Sequence, residues 1–168
     1  APGHPRLAQK AVETLTAAGW AAQADERRGL DHGAWVPLLH LFPQADVPVF
    51  QVSLPSRLDA ASAWALGEAL APLTDDGVLI VGSGSLTHNL SEFRSHQSDD
   101  EAYVAEFAAW VREAIISGDG VRLRRTLAEA PHAARAHPST EHFWPLLVAA
   151  GAAPAPRVWQ ILDGGVAH

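Results

Sequence analysis

Apolar positions along the chain change their period several times, and each change marks an element. From Pro5 to Ala18, Leu7, Val12 and Leu15 recur at helical spacing, with Pro5 suited to the first turn and Gly19 to the C-cap. Residues 29–41, GLDHGAWVPLLHL, read as an Asp-His-Gly turn leading into a short apolar helix. Val47 to Leu54 alternates as a strand, with Pro48 at its start or on a sheet edge. Asp59 to Leu73 is rich in Ala and Leu and predicts a helix, with Asp59 as N-cap. Gly77 to Val81, GVLIV, is a continuous apolar run of the kind that forms strands covered on both faces. Together the three predict a β-α-β unit with a right-handed crossover.

Beyond this unit, Glu92 to Asp100 reads as a polar loop. A helix capped by Asp99 or Asp100 should run to about Ser117, with Tyr103, Phe107, Val111 and Ala114 on one stripe. A short helix over 120–129 should follow, then an irregular loop over 130–140 holding His132 and His137. A helical segment over 141–150, ended by Gly151, and a strand over 157–162 complete the pattern. The expected fold is α/β, a mixed β-sheet flanked by helices in a single domain over residues 1–168. Its site would lie beyond the carboxyl ends of the strands.

Composition narrows the function classes. With 168 residues, 48% apolar and 18% charged, the chain suits one folded domain and not a disordered segment. A net charge of −7 leaves no basic stripe for phosphates, which argues against nucleic acid as partner. Arg122, Arg124 and Arg125 form the one basic cluster and read as a solvated face. Cysteine is absent, so disulfides, thiolate metal sites and a cysteine nucleophile are excluded. No apolar run has the length of a membrane span and no signal-peptide pattern opens the chain, so the cytoplasm is the default location. Eleven Arg stand against one Lys, beside abundant Ala, a bias associated with GC-rich bacterial coding. Methionine is missing even at position 1.

Histidine carries the candidate chemistry. His88 ends GSGSLTHNL, just past the apolar run, where a glycine-rich turn exposes backbone. An imidazole there suits a metal ligand or general base, with Asn89 available to orient it; capping of the strand end is the plain alternative. Within AHPSTEHFWPLL, His142 opens a helix, where capping by Ser139 or Thr140 and a dipole contact from Glu141 would explain the cluster without chemistry. His137 precedes Pro138 in the same loop. His32 lies between Asp31 and Gly33, where a neighbouring carboxylate would favour an imidazolium that orients an anionic oxygen; a simple turn explains it equally. His40 sits among Leu38, Leu39 and Leu41 and reads as a core residue. His4, His96 and His168 lack supporting context. Ser83 and Ser85 do not form the GxSxG nucleophile elbow, and the turn has neither GxGxxG spacing nor a P-loop lysine.

Three segments occur together and in order: GLDHGAWVPLLHLFPQADVPVFQVSL, GVLIVGSGSLTHNL and PHAARAHPSTEHFWPLLVAAGAA. In this the chain resembles the class III extradiol ring-cleavage dioxygenases, in particular the DOPA 4,5-dioxygenase-like group, over essentially its whole length. The resemblance implies a non-haem divalent metal, Fe(II) or Zn(II), that chelates a catechol-type substrate and engages O₂. It makes His88 and His142 metal-lining residues, His88 and His32 catalytic, and His32 and His137 substrate-side. It also implies no membrane or nucleic-acid partner, and it allows a homo-oligomer. Members carry an N-terminal part with an HGSP-type histidine and a second histidine, without counterparts here, so the chain corresponds to the C-terminal two-thirds of such an enzyme. The competing expectations are a non-catalytic remnant or subunit that binds a partner or small aromatic, and a zinc hydrolase using Glu141.

Overall fold

A computed structural model of the chain describes residues 1–93, 100–154 and 156–162. Helix α1, Pro5–Ala17, begins where the His4 ring nitrogen accepts from the Leu7 N–H, a cap that gives this histidine a local role. Helix α2, His32–Leu41, starts at the N-cap Asp31, and none of its side chains is buried. Helix α3, Ala60–Leu70, opens on a capping box between Asp59 and Ser62 and continues as a 3₁₀ turn to Asp76. Then follow the short α4, Leu90–Phe93, and the long α5, Asp100–Ile116. Three short helices come next: α6, Gly120–Arg124, α7, Thr126–Glu129, and α8, Ala133–Ala136. Helix α9, Trp144–Ala152, completes the order.

The expected sheet is not there. Among the described residues the only pairing is one isolated parallel bridge between Gly3 and Val49. The apolar runs do show the burial of extended chain: Phe50, Val52 and Leu54, then Val78 and Ile80, pack on the core, while Leu79 and Val81 face outward. A strand also needs a neighbour for its backbone donors and acceptors, and none of these segments supplies one to another. The β-α-β unit, its crossover and the strand over 157–162 are therefore corrected to helices joined by irregular extended segments. Gly77 belongs to the preceding element, closing the 3₁₀ turn in the left-handed region at φ 76°. The region over 130–140 contains α8, entered through His132 at φ 59°.

Helix periodicity was the reliable signal. Tyr103, Phe107, Val111 and Ala114 of α5 are all buried, as their stripe predicts. Phe107, Phe143, Leu123 and Leu147 are at most 1% exposed. Each such side chain contributes about 1.5–3 kcal/mol by leaving water. An exposed pair such as Arg125–Glu129 contributes about 0–1 kcal/mol, so burial decides the fold. The arginine cluster proves less solvated than its charge suggests: Arg122 lies over the Trp110 ring and pairs with Glu113, and Arg124 lies over Trp64.

The closest packing joins α3 to α9, and glycine makes it feasible. Gly151 ends no helix; it lies inside α9 with its Cα facing the α3 backbone. A Cβ there would stand 2.3 Å from the Trp64 carbonyl oxygen, and one on Gly67 would stand 2.0 Å from that of Val148. Neither helix can retreat without opening the core. Gly151→Ala is therefore expected to lower stability by about 1–3 kcal/mol, read from the urea midpoint at unchanged slope. A midpoint equal to that of the native protein would mean that the helices are spaced more widely.

Candidate functional site

The glycine-rich turn runs directly beneath the start of α9. A Cβ on Gly82 would stand 2.2 Å from the Pro145 oxygen, and one on Gly84 would stand 2.3 Å from the His142 oxygen. Between them the chains are tied, with Ser85 N–H donating to His142 O at 3.0 Å. The glycines thus serve close backbone approach, and the approach delivers two histidines to one place. The rings of His88 and His142 stack with centroids 3.4 Å apart and planes 14° from parallel.

Glu141 joins this pair. Its Oε1 lies 3.1 Å from His142 Nδ1 and accepts from the Ser139 hydroxyl at 2.8 Å. The expected hydroxyl cap of α9 is not formed, since that helix has no side-chain cap and Ser139 is turned to Glu141 instead. Hydrogen bonds from its own backbone N–H and from Ser139 hold the Glu141 carboxyl below the usual carboxylate range. Ligating atoms of His88, Glu141 and His142 all lie within 4.8 Å of one another. Two imidazoles and a carboxylate are the donors that first-row divalent ions prefer. Bonds of about 2.0–2.2 Å place such donors roughly 3–4 Å apart, so the set needs only a small contraction. Stacked rings direct their in-plane lone pairs along parallel lines, so one ring must turn for both to meet an ion. With that rotation the donor set fits a divalent metal.

The other predicted residues do not join this cluster. His32 is the first residue of α2 and is exposed. Its neighbour Gly33 faces the glycine-rich turn, since a Cβ there would lie 4.0 Å from Ser83 Oγ. Asp31 does not serve the His32 ring: Oδ1 caps Ala34 N–H and Oδ2 accepts from Gln51 at 2.7 Å. Asn89 does not orient His88 either, because its amide donates to Arg135 O at 2.8 Å. His137 is only 4% exposed and enclosed by protein, with Nε2–H donating to Leu86 O at 2.7 Å. Burial above all pushes its pKa down, which keeps the ring neutral. His40 is exposed rather than in the core. His96 and His168 lie outside the described residues. Glu141 as a donor was the residue that sequence reasoning undervalued; its signal was adjacency to His142.

A cleft of about 180 Å³ opens beside the pair, floored by Gly82, Gly84 and Ser85 and walled by His142, Phe143 and Leu146. Among the described residues no helix is long and apolar enough to cross a membrane.

Comparison with known proteins gives this geometry its context. The family described as the catalytic LigB subunit of aromatic ring-opening dioxygenase matches residues 1–160. The chain belongs to this family. Within it, the chain is 42% identical over 171 residues to 4,5-DOPA dioxygenase extradiol of Beta vulgaris, covering 99% of this chain and 64% of that protein. It is 34% identical to 4,5-DOPA dioxygenase extradiol of Escherichia coli K12, covering 90% of this chain and 57% of that one. A crystal structure of an uncharacterized protein from Escherichia coli K12 is similar in fold, with a TM-score of 0.74 at 32% identity. That alignment covers 91% of this chain and 64% of the solved one. This LigB-family chain therefore spans roughly three-fifths of the length of these relatives.

Proposed function

We propose that the chain forms part of an extradiol ring-cleaving dioxygenase that opens a catechol-type diol with O₂ at a non-haem divalent metal, Fe(II) or Zn(II). The observation that carries this reading is the convergence of His88, Glu141 and His142, held together by the GSGS turn against α9. His142 and His88 would hold the ion. When bound, either ion would supply Lewis acidity toward the two diol oxygens, and only Fe(II) would also supply electrons toward dioxygen.

This chain's own residues account for the proton handling and the positioning. His88 is half-buried and stacked on His142; with one ring nitrogen on the ion, the other would keep its N–H and donate to a diol oxygen as the substrate docks. His142 is braced by Glu141, the arrangement that orients a ligating imidazole through its second nitrogen. His32, the first residue of α2 and next in sequence to Gly33, which faces Ser83, would orient the substrate or exchange a proton with it. The cleft is smaller than the roughly 300–1,000 Å³ of sites for drug-sized ligands and suits a single aromatic ring.

Metal content separates these roles. His142→Ala in the full-length protein should weaken metal binding beyond the roughly 10–100-fold typical of residues that merely support a ligand. His32→Ala should leave metal content unchanged while slowing turnover. Equal metal content in the two variants, by elemental analysis, would show that the roles are wrongly divided.

A further inference from the structure

We propose that His137 is a positioning residue for His88, acting through the Leu86 carbonyl without touching substrate or metal. The inference rests on the assignment of His88 to the metal-lining pair. Three hydrogen bonds fasten residues 135–137 to residues 86–89. His137 Nε2–H donates to Leu86 O at 2.7 Å, His88 N–H donates to Ala136 O at 2.8 Å, and the Asn89 amide donates to Arg135 O at 2.8 Å. One bond runs toward the THNL segment and two run away from it, so a one-residue slip breaks all three.

His137 also reaches the other half of the pair. Its ring meets Phe143, the residue after His142, edge-on at 5.3 Å, and Phe107 at 5.6 Å. It therefore bonds the backbone two residues before His88 and packs on the side chain one residue after His142. Packing alone does not call for imidazole at this place. Nδ1 is buried with no hydrogen-bond partner, a cost that a phenyl ring in the same cage would not carry. What imidazole adds is the Nε2–H. Since Leu86 O can only accept, that proton fixes the tautomer.

Two substitutions divide the donor from the ring. His137→Phe keeps an aromatic ring between Phe107 and Phe143 and removes the donor. His137→Gln sacrifices the ring and offers an amide N–H near the former Nε2. Two readouts apply to the full-length protein: hydrogen exchange of the His88 backbone amide, which needs no metal, and Co(II) binding by visible absorption. The Phe variant should exchange the His88 amide about tenfold faster and melt no lower than the native protein. It should also bind Co(II) about 10–100-fold more weakly. The Gln variant should restore much of both. Native exchange in the Phe variant would overturn the proposal. Equal losses in the two variants would overturn it too, because packing and not the donor would then hold the loop. Absence of Co(II) binding in the native protein would instead count against the metal reading, and the exchange data would still decide the role of His137.

Discussion

His88→Ala is expected to reduce catechol ring opening by about 10²- to 10⁴-fold while leaving the fold intact. The side chain is half-buried at the edge of the core, so truncation removes little packing. Its backbone N–H bond to Ala136 O survives the change, and the loop should stay in place. What disappears is an imidazole whose ring lies 3.4 Å from that of His142, one of the two groups that would hold the ion and an N–H donor toward the bound diol. The yellow absorbance of a ring-fission product is the readout, with far-ultraviolet circular dichroism as the check on folding. Undiminished yellow product would remove His88 from the mechanism.

Gly84→Ala should do comparable damage by a different route. The added methyl would meet the His142 oxygen at 2.3 Å and the Pro145 ring at 3.3 Å. Backbone cannot swing aside as a long side chain can, so the turn must lift from α9. The adjoining Ser85 N–H to His142 O bond is then lost. Overpacking of about 1–3 kcal/mol plus about 0.5–1.5 kcal/mol for the bond gives roughly 2–4 kcal/mol. For a chain of this size that lowers the melting temperature by about 4–16 °C. Activity should fall with it, since His88 and His142 would separate. Ser83→Ala, at an exposed position of the same turn, is the control and should be nearly silent. A Gly84→Ala variant as stable and active as the control would show that the approach of the two chains is not needed.

Helices with marked ends were legible in the sequence, because their caps are local. Asp59 and the stripe from Tyr103 to Ala114 behave as their spacing predicts. The sheet was misread because side-chain alternation reports which face is buried, not whether a neighbouring backbone is present. Val78 to Val81 keeps the alternation and finds no ladder. At the site, THNL and EHF pointed to His88 and His142, and the fold does bring them together. The fine structure was not legible. Whether Asp31 faces His32 or Gln51, and whether Asn89 faces His88 or Arg135, is settled by residues far away in sequence. The meaning of Gly82 and Gly84 likewise became visible only once the start of α9 lay over them.

The latch between residues 86–89 and 135–137 has a consequence for the order in which the molecule assembles. Its bonds close loops of 46 and 51 residues. Such closure costs about 3.5 kcal/mol in chain entropy, apart from a constant. Three hydrogen bonds return about 1.5–4.5 kcal/mol net, so the latch is at best marginal by itself. It must wait for α5 and α9 to bury Phe107, Phe143 and Leu147 around it. The histidine pair should accordingly be a late product of folding and an early casualty of partial opening, while α1 and α3 stay in register. A protein built this way can dissolve its histidine pair and remake it without ever unfolding as a whole.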